Sequence, residues 1–87
     1  MNNELVLKAE LQTAFQKKQR LRIVYATGTA ESGEKDIRNQ DIDIYQLGTE
    51  YLEAYCHYRN EIRTFEIDRI LEVKLLPDKF RVPYWFG

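Results

Sequence analysis

Tyr51-Leu52-Glu53-Ala54-Tyr55-Cys56-His57-Tyr58-Arg59-Asn60-Glu61-Ile62-Arg63-Thr64-Phe65-Glu66-Ile67-Asp68-Arg69-Ile70 is the most regular stretch of the chain, and its reading decides the fold. Leu52, Ala54 and Cys56 alternate with Tyr51, Glu53, Tyr55 and His57, the two-residue period of a strand with one buried face. Arg59-Asn60 predicts a two-residue hairpin turn, because Asn tolerates positive φ, and Glu61 to Ile67 returns antiparallel. That turn sets Cys56 opposite Arg63, Ala54 opposite Phe65 and Leu52 opposite Ile67. Most of this face is small or apolar, so it reads as interior, with Arg63 the exception. An inward arginine is costly unless paired or solvated. It is expected either to bond a structural carboxylate such as Asp68 or to point into a ligand site.

Working outward, Leu7, Leu11, Ala14 and Phe15 fall at helical spacing and predict one amphipathic helix over about 3–19. The basic run Lys17-Lys18-Gln19-Arg20 at its end complements the helix dipole. Leu21 to Ala26 then reads as a strand, with Leu21, Ile23 and Tyr25 on one face and Arg22 and Val24 on the other. Thr27 to Lys35 is a Gly/Ser/Thr loop that lacks the Gly-Lys-Ser/Thr ending of a phosphate-binding loop. A second strand is expected over about Ile37–Tyr45, with Asp41 and Asp43 on its polar face and Ile42 and Ile44 on its apolar one. A turn follows at Leu47-Gly48-Thr49. The last strand, Leu71–Leu76, is expected to end at Pro77. One helix followed by about five short antiparallel strands predicts a mainly β, α+β domain over 1–87, a strongly bent sheet closed into a small barrel over about 21–76. The aromatic tail at 77–87 is expected to dock over an open barrel end, with base stacking as its alternative use.

Composition narrows the function classes. The chain has 87 residues, 44% of them apolar and 31% charged, which is one domain's worth of core. No apolar run approaches the roughly 18 residues of a membrane span, and Met1-Asn2-Asn3-Glu4 lacks the basic region of a secretory signal. A cytoplasmic location without membrane attachment is therefore expected. One cysteine, Cys56, and one histidine, His57, leave no internal disulfide and little for a metal site or a catalytic triad; no catalytic residue, metal or cofactor is expected. The net charge of -1 implies no global attraction to nucleic acid, so any such site is a local patch.

The stretch from Tyr51 to Ile70 resembles the core signature of the WYL domain family, W-Y-L-x-A-Y-C-x-x-R-x-x-x-R-x-F-x-x-D-R-I. Tyr51, Leu52, Ala54, Tyr55, Cys56, Arg59, Arg63, Phe65, Asp68, Arg69 and Ile70 fall in register with it. Arg20 to Tyr25 resembles the family's opening and Pro77 to Phe86 its exit. Two departures stand out: Glu50 occupies the place of the family's tryptophan, and the segment before Tyr51 is short, with Ile44 where many members have proline.

The resemblance implies an SH3/Sm-like barrel that serves bacterial transcription regulators, usually beside a winged-helix domain, or PIF-family helicases as a single-strand-binding accessory. It implies nucleic acid, single-stranded DNA or RNA, or a nucleotide-like molecule as ligand. It maps the ligand-binding residues onto Arg59, Arg63 and Arg69, with Tyr25 and His57 as neighbours. The primary expectation is thus a non-enzymatic accessory module of a helicase, gripping single strands by arginine–phosphate contacts and by stacking on Tyr25, Tyr55 or Tyr58. The alternatives are a nucleotide-sensing regulatory domain and a structural or dimerisation domain whose arginines form salt bridges.

Overall fold

The computed structural model describes residues 3–28 and 35–87, so most of the expected Thr27–Lys35 loop lies outside the described residues. Helix α1 (Asn3–Lys17) buries Leu11 and Ala14 and rests Leu7 and Phe15 against the core, the face its spacing predicts. It stops at Lys18, whose φ of 53° is the left-handed conformation common just past a helix end. Lys18 Nζ lies 4.5 Å from the Phe15 ring centroid and donates to the Phe15 carbonyl at 3.1 Å. Lys79 Nζ donates to the Lys17 carbonyl at 3.3 Å. These cations serve carbonyls that the last turn leaves without helical partners. The chain then passes directly into β1 (Gln19–Gly28), so Gln19 is strand rather than helix.

The remaining strands are β2 (Lys35–Leu47), β3 (Tyr51–Cys56), β4 (Glu61–Glu66) and β5 (Ile70–Lys79), paired antiparallel in the order β4-β3-β2-β1-β5. A 3-10 turn at Ile67–Arg69 joins β4 to β5 directly. Three residues reach only about 10 Å, so the two outermost strands must come close and the sheet curls on itself. Leu21, Ile23, Ile42, Ile44, Leu52, Ala54, Cys56, Phe65, Ile67 and Ile70 fill the concave side, beneath α1.

Two bulges decide which side chains reach that core. Between Ile44↔Ala54 and Gln46↔Glu53 the β2–β3 register shifts by one residue, at Tyr45. The shift reverses the strand's phase: Leu47 packs on the core while Gln46 is exposed. Likewise Val24↔Glu72 and Tyr25↔Ile70 leave Leu71 as the extra residue of β5, buried Ile70 on one side of it and exposed Leu71 on the other.

Pro77 does not end β5. Leu21 pairs with Leu75 and Gln19 with Lys79, so Pro77 sits in a bulge of an outermost strand, where its missing N–H costs no ladder bond. Gln19 Nε2 donates to the Leu76 carbonyl there at 2.6 Å.

The β3–β4 hairpin corrects the expected register. Cys56 pairs with Glu61, Ala54 with Arg63 and Leu52 with Phe65, so the turn is His57–Asn60 rather than Arg59-Asn60 alone. The Asn60 N–H donates to the Cys56 carbonyl at 2.7 Å, a bond that a two-residue turn would forgo, and the His57 N–H continues the ladder to β2 by donating to the Asp41 carbonyl at 2.9 Å. The slip is one full strand period, so every side chain keeps its face.

Asn60 takes φ 58°, as its tolerance of the left-handed region predicts. Asn60→Ala is expected to lose about 1 kcal/mol, a fall of about 4–8 °C in melting temperature, whereas Asn60→Gly stays near the parent value. Thermal denaturation followed by circular dichroism measures both.

Candidate nucleic-acid interface

At the β4 end of the curled sheet lies an open hollow of about 250 Å³, lined by Tyr25, Thr27, Gln40, Arg59, Arg63, Thr64, Phe65, Glu66 and Arg69. Its floor is made of buried side chains supplied by three strands. Tyr25 of β1 and Phe65 of β4 meet edge to face with centroids 5.0 Å apart. The Glu66 N–H donates to the Tyr25 hydroxyl at 2.9 Å, tying β4 to β1 across the curl. Gln40 of β2 is 7% exposed, and its Oε1 accepts from Cys56 Sγ at 3.1 Å.

The rim is cationic. Arg63 Nη1 contacts Glu61 Oε2 at 2.6 Å, and Arg69 Nε contacts Glu66 Oε2 at 2.8 Å. All four of these side chains are 43–54% exposed, and exposed pairs of this kind are worth about 0–1 kcal/mol. They can be exchanged for a ligand anion at little cost. Arg59 makes no ion pair among the described residues; its guanidinium lies 5.5 Å from the Tyr58 ring centroid. Three arginines against one lining glutamate give the hollow a positive balance in a chain of net charge -1.

Of the five residues named from the sequence, Arg59, Arg63, Arg69 and Tyr25 meet in this hollow and His57 does not. Arg63 shares the face of Ala54 but sits at the open end of the sheet, where it is solvated and paired with Glu61 rather than with Asp68. Tyr25 contributes wall and scaffold, since its ring and hydroxyl are both engaged.

His57 Nε2 instead lies 2.9 Å from Asp43 Oδ2 and its ring meets Tyr55 edge-on at 4.9 Å, on the sheet's opposite face. Asp43, expected on a solvent face, is 4% exposed. Arg20 Nε reaches its Oδ1 at 2.8 Å, and Arg20 Nη1 reaches Asp78 Oδ2 at 3.2 Å. The hydrogen bond to Asp43 is the chief cause that raises the Arg20 pKa further above the usual arginine value. Nearby, Tyr45 carries Phe86 edge-on at 5.2 Å and Phe80 at 6.0 Å. The tail therefore docks, but on the outer face of β2 rather than over an open barrel end as expected, leaving Tyr84 and Trp85 exposed. Burial, then the nearby Asp43 charge, pushes the Tyr45 phenol above its ordinary value.

Sequence reasoning missed Gln40, Thr27, Thr64 and Glu66, and also Arg38, which donates to the Tyr58 hydroxyl and holds its guanidinium carbon 4.6 Å from that ring's centroid. The available signal was parity: Arg38 and Gln40 share the face of Ile42 and Ile44 along β2. Among the described residues no group of three His, Cys, Asp or Glu side chains converges as a metal site would require. None of the described helices is long and apolar enough to cross a membrane.

The profile of the WYL domain family matches residues 7–75. The chain belongs to the WYL domain family. No curated protein sequence matches it. Among solved structures it is similar to Proteasome accessory factor B/C (PafBC) of Arthrobacter aurescens, at 22% identity and a TM-score of 0.73. The match covers 88% of this chain and 12% of that one, so this WYL domain corresponds to a small part of the longer protein. At this identity the likeness is one of fold. The curled sheet with its leading helix is thus the fold expected from the WYL resemblance.

Proposed function

We propose that this WYL domain is a non-catalytic accessory module that grips single-stranded nucleic acid, DNA foremost, by arginine–phosphate contacts in the hollow. The observation that carries this reading is the convergence of Arg59, Arg63 and Arg69 on one open, concave site with a polar and aromatic floor. Guanidinium groups stay charged at all ordinary pH values and bind phosphate oxygens bidentately, so they suit holding an anion rather than moving protons. The volume, about 250 Å³, is slightly below the roughly 300–1,000 Å³ of pockets that enclose small molecules. That size and its openness favour one unit of a passing strand over an enclosed effector. The working context in this reading is a larger cytoplasmic protein of the helicase type, supported by the shortened turn at Glu50. A regulator that senses a nucleotide through the same hollow is the alternative.

The test is a titration of labelled oligo-dT at two salt concentrations. Affinity is expected to fall with salt, and Arg59→Ala and Arg63→Ala each to weaken binding and flatten the logarithmic salt slope by about one. Their melting temperatures should stay near the parent's. Absence of oligonucleotide binding, together with a thermal shift on adding a mononucleotide, moves the function to effector sensing. Loss of stability in the arginine variants without any binding assigns the arginines a structural role.

A further inference from the structure

We infer that Tyr58, beside Arg38 and Arg59 at the tip of the β3–β4 hairpin, is the base-stacking platform of this site, so that the ligand is a nucleotide unit with an unpaired base. The inference rests on the proposal that the hollow binds a nucleic-acid phosphate. Of the three tyrosines that sequence offers for stacking, Tyr25 is buried and engaged at ring and hydroxyl. Tyr55 meets His57 on the far face. Tyr58 alone of the three is next to the hollow and open, with 50% of its surface exposed.

Its ring is posed without being buried. Arg38 holds the hydroxyl and covers the ring at 4.6 Å, and Arg59 stands 5.5 Å from the same centroid. Arg59 also lines the hollow, so one guanidinium separates the aromatic surface from the anion site. The hairpin tip beneath it is anchored by the His57 and Asn60 backbone bonds and by the His57–Asp43 contact. Little ordering remains to be done when a ligand arrives, which favours affinity. Stacking on an aromatic ring is tolerant of base identity but requires a base, and guanidinium planes beside the ring extend the stack.

The experiment compares oligo-dT with an abasic oligonucleotide of equal length, which carries the same phosphates. The parent is expected to bind oligo-dT about 5- to 150-fold more tightly, the range that corresponds to one stacked base. Tyr58→Ala should erase that preference, and Tyr58→Phe, which keeps the ring but not the bond to Arg38, should retain most of it. Arginine-dependent binding that is equal for the two oligonucleotides, or a preference that survives Tyr58→Ala, overturns the stacking assignment while the phosphate site stands. Failure of both oligonucleotides to bind overturns both.

Discussion

Asp43→Ala is expected to lower stability by about 3 kcal/mol, the lower end of the cost of breaking a buried ion pair, and the melting temperature by roughly 12–24 °C. The Asp43 side chain is 6% exposed and meets Arg20 at 2.8 Å and His57 at 2.9 Å. Truncation would leave the Arg20 guanidinium, itself only 24% exposed, with Asp78 at 3.2 Å as its remaining carboxylate. Three segments lose their common tie, because Arg20 belongs to β1, Asp43 to β2 and His57 to the hairpin turn. Asp43→Asn keeps an acceptor for Arg20 and should lose less. Arg22→Ala supplies the contrast. It breaks the exposed contact with Asp41 at 2.8 Å and should lower stability at neutral pH by no more than about 1 kcal/mol.

That same contact gives a pH signature. The hydrogen bond from Arg22 is the chief cause holding the Asp41 carboxyl below its ordinary value of 3.8. A depressed carboxyl contributes fully above the unfolded value and loses its contribution as pH falls through the folded one. The Arg22→Ala difference should therefore vanish in strong acid. Calorimetric or circular dichroism melts across pH measure the whole set.

Phe65→Ala is expected to cost about 3–5 kcal/mol, a large share of the 5–15 kcal/mol that holds a typical domain together. Phe65 is 2% exposed and faces Leu52 across the β3–β4 ladder. It also braces the Tyr25 ring at 5.0 Å, so truncation undermines the floor of the hollow as well as the core. Phe65→Leu, a smaller change of volume, should lose less than half as much and leave a folded protein with its arginine rim in place. Urea denaturation of both variants tests this. A Phe65→Ala protein as stable as the parent would show that the hollow's floor is not part of the core.

The fold was largely legible because its strongest signals are periodicities. The helical stripe at Leu7, Leu11, Ala14 and Phe15, and the alternation of Leu52, Ala54 and Cys56, each need only one dominant buried face to be read. Even the hairpin error was harmless to that reading, because a slip of two residues preserves parity. Parity alone put Arg63 on the inward face; its grouping with Arg59, Arg69 and Tyr25 came from the resemblance to the WYL signature.

What failed was local phase and depth. A bulge at Tyr45 or Leu71 is set by how a curling sheet closes, and no residue type announces it. Asp43 looks like half of a polar alternation, yet its surroundings come from Arg20, some two dozen positions away, and from His57 in the hairpin turn.

The stretch from Tyr51 to Ile70 by itself determined the two strands, the faces of their side chains and the family, because covalent order and a two-residue period suffice for those. Only the tertiary structure decided the four-residue turn, the solvated seat of Arg63 beside Glu61 and the removal of His57 to Asp43. It also brought Gln40 into the hollow and Arg38 onto Tyr58, both from β2. Those outcomes depend on which strands the curled sheet brings together, and distance along the chain carries no record of that.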